Sequence, residues 1–129
     1  MTTTLDARLT SRSSIALGVF RIIAGLLFFA HGAGKVFGFP GGPAAAIGSW
    51  PGWWSGLLEV VLGALIALGL FTRVAAFIAA GVMAVAYFWM HFPESFWPNV
   101  NGGEAAVMFC FAFLMFVFTG PGGVAVQRR

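Results

Sequence analysis

Apolar residues in this chain fall into four long runs, separated by short segments rich in glycine, proline and polar residues. The runs cover about 15–37, 53–71, 74–90 and 105–126. The first contains Arg21, His31 and Lys35; the second has one charge, Glu59; the third and fourth have none. Each run is close to the roughly 17–25 residues that a bilayer-crossing helix needs. No period-two alternation of the kind a barrel strand shows is present. Backbone groups in lipid must satisfy one another, which at this length leaves helices. The expected fold is all-α: a membrane-spanning four-helix bundle over 15–126, preceded by a cytoplasmic N-terminal segment 1–14 and followed by a tail 127–129. Small residues recur at helical spacing, with Gly18, Gly25 and Gly32 in the first run, Gly63 and Ala67 in the second, and Ala75 and Ala79 in the third. Such stripes let helix backbones approach closely.

Composition supports the membrane reading. The 129 residues are 60% hydrophobic and 9% charged, against roughly 25% charged in soluble domains. A soluble fold of this size has no place to hide so much apolar surface. The sequence pI is about 10.0, but the seven basic residues are scattered. With no basic stripe, nucleic acid is not expected as a partner. The single cysteine, Cys110, builds neither a disulfide framework nor a thiolate metal site, and no metal ligand set is expected. The polar start MTTTLDARLTSRSS is long for a signal n-region, and no A-x-A site follows a short apolar core. The first run is therefore read as a retained span.

Basic residues give the orientation. Arg8, Arg12, Arg73, Arg128 and Arg129 all fall on one side of a four-span bundle, while loops 38–52 and 92–103 contain no Lys or Arg. Both termini are expected in the cytoplasm. Trp50, Trp53, Trp54, Trp89 and Trp97 belong to the opposite side and read as an interfacial belt. The loop at 38–52 is too rich in glycine and proline for a helix and is expected along the interface, with gating as an alternative role.

Ionisable groups inside apolar spans usually face the bundle interior or mark a pathway. At about 1.5 Å per residue, Arg21 lies roughly 10 Å in from the cytoplasmic side and Glu59 roughly 9 Å in from the outer side. His31, Lys35, Tyr87, His91, Asn101 and Glu104 stand on the outer turns of spans one, three and four. His31 and Lys35 share a helix face, as do Tyr87 and His91. Glu59 is the expected partner of Lys35, and of Arg21 if that side chain reaches outward. The expectation is one polar chamber near the outer face. Each residue also has a plainer reading: snorkelling for Arg21 and Lys35, a structural ion pair for Glu59, interfacial packing for both histidines and Tyr87, and a helix-dipole contact for Glu104.

The stretches Arg21–Gly38 (RIIAGLLFFAHGAGKVFG), Gly56–Phe77 (GLLEVVLGALIALGLFTRVAAF) and Asn101–Gly123 (NGGEAAVMFCFAFLMFVFTGPGG) resemble the DoxX family in content, order and spacing. The resemblance implies a four-helix inner-membrane protein. It also implies membrane redox chemistry, which in some members is quinone-linked thiosulfate oxidation; many members have no established activity. Arg21, His31, Lys35, Glu59, Arg73, Asn101 and Glu104 match the family's polar pattern. The leading expectation is the membrane subunit of a quinone-linked oxidoreductase. Glu59, Lys35 and His31 would carry the chemistry there, and Arg21, Tyr87, His91, Asn101 and Glu104 would line the cofactor site. No intrinsic electron carrier is visible, so a redox partner is expected, and association with a second copy is open. A bis-histidine haem on His31 and His91 is the lesser alternative, because His91 stands at the membrane edge. A small-solute or ion transporter, or a membrane scaffold, is the non-enzymatic one.

Overall fold

The computed structural model describes residues 3–127, and every regular element among them is helical. Arg128 and Arg129, counted above among the basic flanks, lie outside the described residues. A short α1 (Thr4–Ser11) precedes α2 (Ser13–Phe37), α3 (Gly52–Leu68) and α4 (Thr72–Ala86). A π turn, Tyr87–His91, prolongs α4; the four-residue α5 (Pro98–Asn101) and then α6 (Glu104–Thr119) follow.

Helices α2 and α3 form an antiparallel pair along a seam of small residues. A Cβ added at Gly25 would lie 2.5 Å from Ala67 N, one at Gly32 2.5 Å from Gly56 O, and one at Gly63 2.6 Å from Phe29 N. Backbone meets backbone at each point, so the glycine stripe read from the sequence is an interhelical contact surface. Gly18 continues the stripe against a different partner, the backbone of Gly123. Helices α4 and α6 form the second antiparallel pair. Ala75, Ala76, Ala79 and Ala80 are buried on α4, with Phe113 and Phe116 opposite on α6. Phe28 of α2 ties the two pairs together, its ring 4.8 Å from that of Phe113 in an edge-on contact. Packing is closest within the two pairs and looser between α3 and α4.

Two helices end earlier than their apolar runs. The fourth run reaches Val126, but α6 stops at Thr119. Gly120 leaves helical geometry, and Pro121 has no N–H to continue the ladder. The segment 120–127 turns back over the end of the bundle. There Gly123 N donates to Ser14 O (2.7 Å), Val126 N to Leu68 O (3.0 Å) and Gln127 N to Gly69 O (3.0 Å). Helix α3 stops at Leu68, short of Phe71, because Gly69 takes a left-handed φ of 75°. In the tight turn that follows, Phe71 N donates to Gln127 Oε1. The bundle thus has a terminal end, holding residue 14, the 69–71 turn and segment 120–127. Its other end, the loop end, carries residues 38–51 and 92–103.

The outward faces are apolar. Val19, Ile23, Leu26 and Leu27 on α2, and Phe77, Ile78 and Val85 on α4, are exposed. Ser13–Phe37 and Thr72–His91 are long and apolar enough to cross a membrane, and only 28% of either window is buried. A core helix of a soluble protein would be mostly covered.

The seam gives a direct test. Gly63→Leu forces its side chain into the Phe29 backbone and should destabilise the bundle by about 3 kcal/mol or more. Gly81→Ala, with nothing within 4 Å of its Cβ, should be neutral or raise stability by up to about 1 kcal/mol through helix propensity. Thermal unfolding in one detergent compares the two.

Candidate functional site

The loop end holds an ion pair in an otherwise apolar setting. Glu59 faces inward from α3 and its side chain is only 2% exposed; that of Lys35, from α2, is 41% exposed. Lys35 Nζ donates to Glu59 Oε2 at 2.8 Å and to Ser55 Oγ at 3.3 Å. Ser55 Oγ in turn donates to Gly52 O. The Gly32 and Gly56 contacts set this geometry. A Cβ on Gly56 would lie 2.7 Å from Lys35 Cβ, so the two backbones are close enough for the lysine to reach the next turn of α3. Glu59 Oε1 has no hydrogen-bond partner among the described residues.

Three cavities meet at this pair. A central chamber of about 300 Å³ is walled by all four long helices, with His31, Lys35, Glu59, His91, Met90 and Phe109 among its lining residues. A cleft of about 460 Å³ opens between α3 and α4 and is lined by Trp50, Trp54, Leu58, Gly81, Val85 and Trp89, with Lys35, Ser55 and Glu59 as its polar members. A shallower hollow of about 390 Å³ runs from His31 and Lys35 along Pro40, Gly41 and Pro43. Lys35 borders all three, and Glu59 borders the first two.

A second polar cluster sits beside the chamber. Tyr87 Oη donates to Phe96 O at 2.7 Å and accepts from Asn101 Nδ2 at 3.1 Å. Asn101 Nδ2 also donates to Ser95 O, and Asn101 Oδ1 accepts from Gly103 N. His91 Nδ1 lies 3.1 Å from Asn101 O. These bonds fold 92–103 back on the π turn and aim His91 at the chamber. Tyr87 and Asn101 thus hold the loop, and neither lines the chamber. Tyr87 instead faces a third cleft, an apolar one between α4 and α6 that includes Phe92 and Cys110.

Arg21 does not join the chamber. It is fully buried at the terminal end, fourteen residues or roughly 21 Å along α2 from Lys35. Its Nε donates to Ile66 O at 2.9 Å, Nη1 to Pro121 O and Gly123 O, and Nη2 to Ala67 O and Val124 O. Five donors meet five carbonyls, which uses the whole capacity of the guanidinium. Ile66 and Ala67 are in the last turn of α3, where the helix dipole favours a cation. Arg21 is a clasp joining α2, α3 and segment 120–127, and it is neither a partner of Glu59 nor a snorkelling side chain. Arg73 acts likewise on α6, donating from Nη1 to Val117 O and Phe118 O. Glu104 is exposed at the first position of α6 and does not line the chamber, whereas its neighbours Ala105 and Ala106 do.

Residues 16–92 match the DoxX family, a stretch covering α2, α3, α4 and the π turn. The chain belongs to the DoxX family. An "Uncharacterized protein" of Haemophilus influenzae is 40% identical over 119 residues, covering 88% of this chain and 89% of its own length. "Inner membrane protein YphA" of Escherichia coli is 29% identical over 126 residues, covering 89% and 90%. No solved structure matches significantly. Every ionisable side chain lining the DoxX chamber, His31, Lys35, Glu59 and His91, falls inside the matched stretch. No group of three or more His, Cys, Asp or Glu able to hold a metal exists among the described residues.

Sequence reasoning missed Ser55 and Gly81. Ser55 was legible as the residue four before Glu59 on the same face of α3. Gly81 was legible as a lone glycine within a run otherwise filled by larger residues.

Two substitutions separate the polar ends. Arg21→Lys keeps the charge but loses the planar fork and two donors. It should cost about 3 kcal/mol, and hydrogen exchange should quicken at the Gly123, Val126 and Gln127 amides. Lys35→Met should cost about 2 kcal/mol by leaving the Glu59 carboxylate unpaired, and adding Glu59→Gln should recover most of it. Melting of the two variants and of the double variant checks the coupling.

Proposed function

We propose that this DoxX-family chain is a multi-pass inner-membrane protein with four spans and both termini in the cytoplasm, and that it serves as the membrane subunit of a quinone-linked oxidoreductase. Helices α2 and α4 both run from the terminal end to the loop end, so two spanning helices require α3 to cross back between them. The pairing of α6 with α4 supports reading α6 as the fourth crossing. Helices α3 and α6 are roughly 26 and 24 Å long, shorter than the roughly 30 Å hydrocarbon core, a mismatch that local thinning accommodates. Arg8, Arg12 and Arg73 stand at the terminal end and the five tryptophans at the other, the distribution expected of a cytoplasmic side and an outer belt. The relative named for the inner membrane is similar over nine-tenths of its length.

The observation that carries the redox reading is the Lys35–Glu59 pair, set at the junction of a polar chamber and an apolar cleft. A quinone is flat and apolar except for its carbonyl oxygens, and the residues suit it. Lys35 Nζ is a hydrogen-bond donor beside apolar walls, and the Trp50 and Trp89 rings, 6.2 Å apart, flank the cleft. When bound, a quinone accepts two electrons and two protons and leaves as the quinol. Lys35 holds the ligand oxygen by charge-assisted hydrogen bonding. Glu59 gives up a proton at Oε1, the oxygen Lys35 leaves free, and His31 resupplies it from the open hollow, once for each of the two protons the quinol carries. The chain has one cysteine and so no disulfide couple; the electrons come from a partner protein or a small reductant.

The test is to purify the protein into lipid nanodiscs and titrate a benzoquinone without a hydrocarbon tail. Wild type should bind it, and Glu59→Gln should weaken binding about tenfold, or 1.4 kcal/mol, if Glu59 positions the head group with Lys35. Equal binding by both proteins counts against this role for Glu59.

A further inference from the structure

We infer that the α3–α4 cleft is a lateral portal which takes the hydrocarbon tail of the ligand whose head group sits at Lys35 and Glu59, and that Gly81 keeps it open. The inference rests on the quinone reading and names a substrate class within it: amphiphiles drawn from the bilayer rather than water-soluble quinones. The cleft and the chamber share Lys35, Glu59, Ala86 and Met90 in their walls, so the two spaces adjoin. The inner end of the cleft is polar, at Lys35, Ser55 and Glu59, and the remainder is lined by Trp, Leu, Val and Met side chains. A tailed head group has that distribution of polarity. The cleft lies where α3 and α4 pack loosely, away from the glycine seam that locks α2 to α3.

Gly81 distinguishes a portal from a packing fault. Most helical glycines in this bundle mark a place where a Cβ would strike another backbone, as at Gly18, Gly25, Gly32 and Gly63. Gly81 does not: a Cβ there meets nothing within 4 Å, and the residue is exposed in the middle of α4. No helix contact requires a glycine at this position, and alanine would suit the helix better by about 1 kcal/mol. Gly81 lines the cleft and is exposed, and we take the space its missing side chain leaves as the mouth.

The experiment uses the full chain in nanodiscs and two benzoquinone probes, one tail-less and one with a ten-carbon tail, followed by quenching of tryptophan emission. Gly81→Leu fills the mouth without a backbone clash, and its melting temperature should match or exceed that of wild type. Comparing each probe between wild type and variant cancels its partition into lipid. The portal requires Gly81→Leu to weaken the tailed probe about tenfold, or 1.4 kcal/mol, while the tail-less probe stays within about twofold. Unchanged binding of the tailed probe overturns the proposal and leaves the cleft to a lipid chain. Equal weakening of both probes also overturns it, since the head-group site would then be what was damaged. If wild type binds neither probe, the quinone reading itself fails, an outcome distinct from both.

Discussion

The seam between α2 and α3 governs the rest of the structure. Four glycines, Gly25, Gly32, Gly56 and Gly63, face partners so near that a single carbon on any of them would overlap backbone or a first side-chain carbon. With no water-driven force between helices in lipid, this close contact is the main attraction available to the pair. It also fixes the register. Once Gly32 sits against Gly56 and Val60, Lys35 has one carboxylate within reach, Glu59. The ion pair is thus a consequence of packing, and its strength is not needed to align the helices.

Helix α2 carries two cationic side chains, one fully buried and one partly open, and holds them oppositely. Arg21 is surrounded by carbonyls, with every N–H engaged and no anion beside it among the described residues. Such a group has no capacity left for a ligand, and its surroundings are closed. Val124, one of its partners, is held at φ 58°, a conformation a β-branched residue adopts only where its neighbours fix it. Lys35 meets a full charge, is partly open, and bonds only Oε2 of Glu59, a residue that lines two cavities. The Arg21 site is saturated and the Lys35–Glu59 site is not, although both cations looked alike as charges within one apolar run.

Much of this was legible in the sequence. The four helices, the small-residue stripe and the Lys35–Glu59 pair follow from apolar run length, helical spacing and the cost of an unpaired charge. What was not legible depended on places where the chain leaves regular geometry. Arg21 and Lys35 are nearly eclipsed on a helical projection, which hides the roughly 21 Å between them along the axis. The fold-back of 120–127 that supplies three of the Arg21 carbonyls starts at Gly120–Pro121, inside a run whose hydropathy alone reads as continuous. The π turn shifts the phase of His91 relative to α4, and the α5 turn sets the phase of α6. Together they bring His91 to the chamber and leave Glu104 outside it, a distinction that spacing within single helices does not contain.

The arrangement also explains why one bundle is tight at one end and open at the other. At the terminal end, Arg21 and Arg73 draw the last carbonyls of α3 and α6 and the chain beyond them into a closed cap. That cap removes the need for close α3–α4 packing along the full length, because the two helix pairs are already joined there and through Phe28. The pairs can therefore separate toward the loop end without loss of register. The proton-transferring role proposed for Glu59 would use such a place: an apolar cleft on one side by which a membrane-soluble ligand could enter, and on the other His31 and an open hollow through which protons could arrive from water. Glu59 stands on α3 between Gly56 and Gly63, where the glycine seam borders the cavities.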